Sequence, residues 1–176
     1  MKTNSKSITA YRQLRDEIDK LSAKLEKEHT KHLSCKSGCD MCCMDYSIFP
    51  VEFYSILEEL KNQNFQKNSF ESKKNGQACV FLKNHRCTIY NSRPIICRTH
   101  GLPLLFTNNE AEWELSACEL NFKEFDLEKF TSENTFPQDK FNSKLFLLNK
   151  KFITEFDEIK YGEFNLIPLK NLVKKL

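Results

Sequence analysis

Near the start of the chain, apolar positions recur at alternating steps of three and four: Tyr11, Leu14, Ile18, Leu21 and Leu25, with charged residues between them. That period is the stripe of an amphipathic helix, predicted over about residues 7–31. The spacing also allows a coiled-coil seam. Fewer than three full heptads are present, so the stripe is read as packing on the chain's own core. A second stripe, Val51, Phe53, Tyr54, Ile56, Leu57 and Leu60, follows Pro50, whose fixed φ suits the first turn of a helix. It runs into the polar stretch KNQNFQKNSFESKKNG, read as a surface loop. A third stripe, Phe141, Leu145, Leu148, Phe152, Phe156 and Ile159, predicts a helix over residues 138–160, and the tail NLIPLKNLVKKL reads as another short one. Aromatic residues at this spacing are assigned to the core.

Between the second and third stripes the period changes. In ACVFLKNHRCTIY two short β-capable runs flank Lys83 to Arg86, which predicts a small hairpin over about residues 79–90. Pairing Leu82 with Cys87 places Cys79 and Cys87 on opposite faces by the two-residue alternation, so one of them leaves the ladder or a bulge intervenes. Arg93-Pro94 ends the second run. Cys97 to Gly101 is then a turn or short helical segment before Pro103. With only four Gly and five Pro but fifteen Phe in 176 residues, the chain reads as mainly α. It is expected to be a single domain, 1–176, with an N-terminal amphipathic helix at 7–31, a cysteine-rich region at 35–118 and a C-terminal helical region at 138–176.

Charge and hydropathy remove several classes of function. The formal charge is +3, from 27 basic and 24 acidic residues with no basic stripe, which weighs against a nucleic-acid partner. The N-terminus MKTNSKSITAYRQLRDEIDK lacks the apolar core of a signal peptide. Nowhere do apolar residues run long enough to span a bilayer, so no membrane partner and a cytoplasmic location are expected. No Ser/His/Asp arrangement, Gly-rich phosphate loop or pair of catalytic carboxylates stands out.

The chemistry lies in the cysteines. Cys35, Cys39, Cys42 and Cys43 fall within nine residues, as C-x3-C-x2-C-C, and Cys79, Cys87, Cys97 and Cys118 follow in the same central region. A reducing compartment favours metal or redox chemistry over a disulfide framework for such a set. Thiolates are soft ligands for zinc, copper(I) and iron–sulfur clusters, and short intervening loops let consecutive sulfurs converge on one centre. Neighbouring side chains in extended backbone point apart, so Cys42 and Cys43 reach one metal only through a tight turn, or one of them serves a second site. Eight thiols permit two four-coordinate zinc sites, one iron–sulfur cluster with four spare cysteines, or a site plus a redox pair. Among the histidines near enough to replace a thiolate, His32, His85 and His100, the last is the best placed. Cys35-x3-Cys39-x2-Cys42 repeats the spacing with which radical S-adenosylmethionine enzymes hold a 4Fe-4S cluster, but those enzymes carry it on a large α/β barrel that this composition cannot build.

The run CKSGCDMCC, followed by Cys79, Cys87, the C-T-I-Y before Arg93-Pro94, and Cys97-Arg98, resembles the YkgJ-type cysteine-cluster family. That family is described by its CxxCxxCC signature as a zinc- or iron-chelating domain. The resemblance implies that Cys35, Cys39, Cys42, Cys43, Cys79, Cys87 and Cys97 are metal ligands, with Cys118 matched only as a late cysteine, and that Arg93 and Arg98 surround them. His100 joins these as a neighbour or extra ligand. The cofactor so implied is zinc or iron, an iron–sulfur cluster included. Three functions follow as expectations: a chelating protein, an iron–sulfur redox or group-transfer enzyme, and a zinc-stapled module that binds a protein partner. A purely thiol-based redox pair, Cys39 with Cys42, ranks below them because the βαβ setting of such pairs is missing.

Overall fold

The computed structural model describes residues 5–65, 78–156 and 160–176. Three helices form its frame. α1 (Lys6–Glu28) starts at Ser5, whose hydroxyl accepts a hydrogen bond from Ile8 N, the usual way of satisfying a free N–H at a helix start. α2 (Pro50–Asn62) begins at the proline, as the sequence predicts, and α4 (Gln138–Glu155) carries the C-terminal stripe. α4 closes back on α1: the Glu155 carboxylate accepts hydrogen bonds from the hydroxyls of Ser5 and Ser7 at 2.7 and 2.8 Å. The stripe residues Tyr11, Leu14, Ile18 and Leu25 are buried against Val51 of α2 and Phe141, Leu145 and Phe152 of α4. The first stripe is therefore core, as expected. Phe156 caps the end of α4, and the predicted continuation through Ile159 lies outside the described residues, as does most of the polar loop after α2.

A second apolar cluster packs on the far face of α2. Phe53, Ile56 and Leu60 meet Phe81, Ile89, Ile167, Leu169 and Leu172 there. The C-terminal tail reaches it as β7 (Ile167–Pro168), antiparallel to β1 (Ser47–Ile48), and ends in the short α5 (Asn171–Lys175). Each fully buried Leu, Ile or Phe contributes about 1.5–3 kcal/mol. The two clusters thus supply a core that lies beside the cysteines, with Cys79 and Cys87 packed against the second of them.

The predicted hairpin is present, with Leu82 opposite Cys87, between β2 (Leu82–Lys83) and β3 (Arg86–Cys87). Its loop is tighter than four residues. Lys83 pairs with Arg86, leaving Asn84 and His85, both at positive φ (49° and 59°), as the two-residue turn that matches strand twist. Cys97 lies on the short α3 (Ile95–Thr99), which begins after Pro94. A three-stranded sheet follows that the hydrophobic pattern does not predict: β4 (Leu104–Thr107) pairs antiparallel with β5 (Trp113–Ser116) and parallel with β6 (Phe136–Pro137). The described residues are mainly helical with small sheets. Among them, no helix is long and apolar enough to cross a membrane.

Candidate metal centre

Residues 35–43 form two consecutive turns between α1 and β1. Cys39 N donates to Lys36 O at 3.0 Å, and Cys43 N donates to Asp40 O at 2.9 Å. Gly38, at φ +97°, supplies the left-handed backbone of the first turn. The second turn overrides the divergence of neighbouring side chains, because Cys42 and Cys43 hydrogen-bond to each other through their sulfurs. None of the eight cysteines, all of them among the described residues, is in a disulfide.

Backbone hydrogen bonds tie the other cysteines to this loop. Cys79 N donates to Cys43 O at 3.0 Å, and Met44 bridges Ala78. Cys79 O accepts from Leu82 N at 3.1 Å, so Cys79 sits just outside the ladder while Cys87 sits within it. That arrangement resolves the alternation conflict read from the sequence: Cys79 is the residue that leaves. Cys97 is aimed by α3, whose start is fixed by the fully buried Glu52. One oxygen of its carboxylate accepts from Ile95 N at 3.0 Å and from the Tyr11 hydroxyl at 3.2 Å. Cys35 is held from the other side. Asn121 Nδ2 donates to the Cys35 sulfur at 3.3 Å and to Gly101 O at 2.7 Å, while Asn121 Oδ1 accepts from Ser34 N at 2.7 Å. Asn121 in turn follows a tight turn from Cys118, its N–H bonded to Cys118 O at 2.8 Å.

Seven of the eight cysteines, all but Cys118, line one cavity of about 790 Å³. Its rim is basic, with Lys36, Arg86 and Arg93 against Glu26; Arg98 also lines it but is buried and paired with Asp19. His100 also lines it, and its Nε2 is buried with no hydrogen-bond partner among the described residues. Burial lowers the pKa of this imidazole, so the nitrogen is a neutral donor. Tyr46 packs on the His100 ring at 5.4 Å, and burial raises its phenol.

Burial pushes the Cys97 thiol up to about 12 and raises Cys87 as well; Cys35 is exposed, and its partial desolvation is opposed by the Asn121 hydrogen bond. In the adjacent pair the shared hydrogen bond lowers Cys43 and raises Cys42, so the first proton leaves Cys43. The raised thiols hold their protons near neutral pH, and an entering cation must displace them. Among the described residues no group of three or more His, Cys, Asp or Glu side chains is arranged to hold a metal ion. The thiols share a cavity but not a coordination sphere. Their donor chemistry nevertheless fits zinc or iron: sulfurs in close sequence, an orphaned imidazole nitrogen, and a basic rim to offset the charge of thiolates.

The two arginines have different surroundings. Arg93 lies over the Tyr90 ring at 3.7 Å and is close enough to Cys87 to act on it electrostatically. Arg98 is buried, and its guanidinium is occupied by the Asp19 carboxylate and by the carbonyls of Asn91 and Arg93. It braces α3 against α1. Of the other candidate histidines, His85 also lines the cavity and pairs with Asp40 at 2.9 Å, while His32 packs edge-on to Phe125. Sequence reasoning missed Asn121 and Glu52. For Glu52 the signal is a lone carboxylate among apolar neighbours at the start of a helix; for Asn121 it is only its place three residues after Cys118.

A loop of closely spaced thiols, extended by a hairpin and a short helix that bring further cysteines to the same cavity, defines a cysteine-cluster domain. Residues 34–119 match the model of one such family, CxxCxxCC, whose description reads "Putative zinc- or iron-chelating domain". The matched segment is just under half of the chain, and the likeness supports metal binding in general. No curated protein and no solved structure matches the chain.

Proposed function

We propose that the chain is a cytoplasmic metal-chelating protein, folded as one domain, that takes zinc or iron through Cys35, Cys39, Cys42, Cys43, Cys79, Cys87, Cys97 and Cys118. The convergence of seven of these thiols on one cavity carries the reading. Arg93 and the basic rim offset the thiolate charge, Arg98 holds the helix that carries Cys97, and His100 stands as an additional nitrogen donor. Bound zinc would supply a tetrahedral staple, and bound iron a redox-active or cluster-forming centre. Metal content of single variants tests this. Cys39→Ser and Cys97→Ser each lower bound metal, while Lys83→Ala, a hairpin residue outside the cluster, leaves it unchanged. Full metal occupancy in both cysteine variants contradicts the reading.

A second reading, an iron–sulfur redox or group-transfer enzyme, is favoured by one observation: a cavity of about 790 Å³ is far larger than a single ion needs and lies in the range of small-molecule sites. Brown, air-sensitive protein containing iron and sulfide supports it, and colourless zinc protein removes it.

A further inference from the structure

The cysteines approach the cavity from two sides. On one side the turn from Cys118 to Asn121 presents the amide that donates to the Cys35 sulfur at 3.3 Å. Cys35 also lies within electrostatic reach of Cys118, Cys39 and Cys42. On the other side Cys79 is bonded through its N–H to Cys43 O, and its own carbonyl holds Leu82, the residue paired with Cys87. Cys43 lies within electrostatic reach of Cys87, Cys79 and Cys97, and Cys97 is also within reach of Cys42. The two groups meet at Cys42 and Cys43, whose sulfurs hydrogen-bond to each other.

We infer that the cysteines build two adjacent four-thiolate centres, one from Cys35, Cys39, Cys42 and Cys118 and the other from Cys43, Cys79, Cys87 and Cys97, each taking one soft tetrahedral cation. The inference rests on the metal-chelating reading and divides its ligands. Around one zinc, with Zn–S near about 2.3 Å, four sulfurs fill the sphere, so eight thiols exceed a single mononuclear site. The consecutive cysteines are the natural divide, since one residue step between them lets each sulfur serve a different ion while both ions share the loop. Cys118, the thiol outside the cavity lining, is brought toward Cys35 by the Asn121 turn, which gives the first group its fourth member. As each divalent cation enters, four Cys S–H bonds are exchanged for four metal–sulfur bonds. The released protons pass to solvent, leaving a centre of charge near minus two. Arg86 and Arg93 lie beside the hairpin group and Lys36 beside the other, which places positive charge at both.

The test is a Co2+ titration of the full-length protein, stripped of metal, reduced and kept without oxygen, followed by the visible absorption of thiolate-bound Co2+. The wild-type chain saturates at two equivalents. Cys118→Ser and Cys79→Ser each saturate at one, and the double variant shows no four-thiolate spectrum. Saturation of the wild type at one equivalent overturns the division, as does retention of two by Cys118→Ser, or loss of both ions in either single variant. If a variant loses its helical circular dichroism, native mass spectrometry of the wild type loaded with Zn2+ decides alone: two zinc ions per chain support the division and one overturns it. Absence of any bound Co2+ or Zn2+ strikes instead at the metal-chelating reading.

Discussion

Asn121 donates one amide hydrogen to the sulfur of Cys35 and the other to the carbonyl of Gly101, so a single buried side chain fixes both the first cysteine of the cluster and the turn after α3. Truncation of this side chain to a methyl group strands Ser34 N and Gly101 O. A hydrogen bond lost at such a part-buried group costs about 0.5–1.5 kcal/mol. Asn121→Ala is therefore expected to lower the melting temperature by several degrees and to weaken metal uptake, read by thermal unfolding and by bound Zn2+ per chain. Unchanged metal uptake would show that Cys35 needs no such support.

Gly101 makes a complementary point about space. It adopts φ +93°, and a Cβ added there would lie 2.7 Å from the Cys35 sulfur and 3.2 Å from Asn121 Nδ2. Gly101→Ala combines left-handed backbone strain with a collision at the thiol. It is expected to cost about 1–3 kcal/mol in urea unfolding and to reduce metal affinity more than Gly38→Ala, where the added Cβ meets nothing within 4 Å. Equal losses of affinity in the two variants would argue that the Cys35 contact has no role.

Arg98 is expected to act through position, because its guanidinium spans Asp19, Asn91 and Arg93. A lysine retains the charge but not the planar fork. Arg98→Lys should therefore destabilise the fold by about 1–3 kcal/mol, as loss of buried hydrogen bonds predicts, and should lower metal content only as far as it loosens α3. Circular dichroism and elemental analysis on one preparation separate the two effects.

A pH test isolates the helix interface from the thiols. Burial acts to raise the Glu59 carboxyl, but hydrogen bonds from Arg15 and Ser92, with the charges of Arg15 and Arg12, outweigh it and leave the group below the usual carboxylate range. A depressed folded pKa contributes stability above the unfolded value, near about pH 4.3, which is lost as the pH falls toward the folded value. The stability difference between wild type and Glu59→Gln is thus expected to be largest near neutrality and to shrink on acidification. A difference that does not vary with pH would contradict the pairing.

The helices were legible because their apolar stripes repeat over several turns, as Tyr11 to Leu25 and Phe141 to Phe152 do. The hairpin was legible through local chemistry, since Asn84 and His85 lie between two β-capable runs. The sheet of β4, β5 and β6 was not. Its strands are two to four residues long, β5 is largely exposed, and Leu104 pairs with Phe136 through a contact distant in sequence that no local period encodes. The cysteines announced the site by number and spacing. The partition proposed for them does not follow from spacing, because it depends on which loops return to the cluster, and Asn121 is a single polar residue whose contacts exist only once those loops meet. Arg98 was legible as a neighbour of Cys97 but not as a brace, because Asp19 lies on the first helix.

The most direct measurement is elemental analysis, with a visible spectrum, of the wild-type protein purified without oxygen. The account predicts zinc or iron bound at a fixed ratio to the chain, in colourless protein for zinc and brown protein for an iron–sulfur cluster. Protein that is folded by circular dichroism yet holds neither metal, and takes up neither when supplied, would contradict it and return the eight thiols to chemistry of their own.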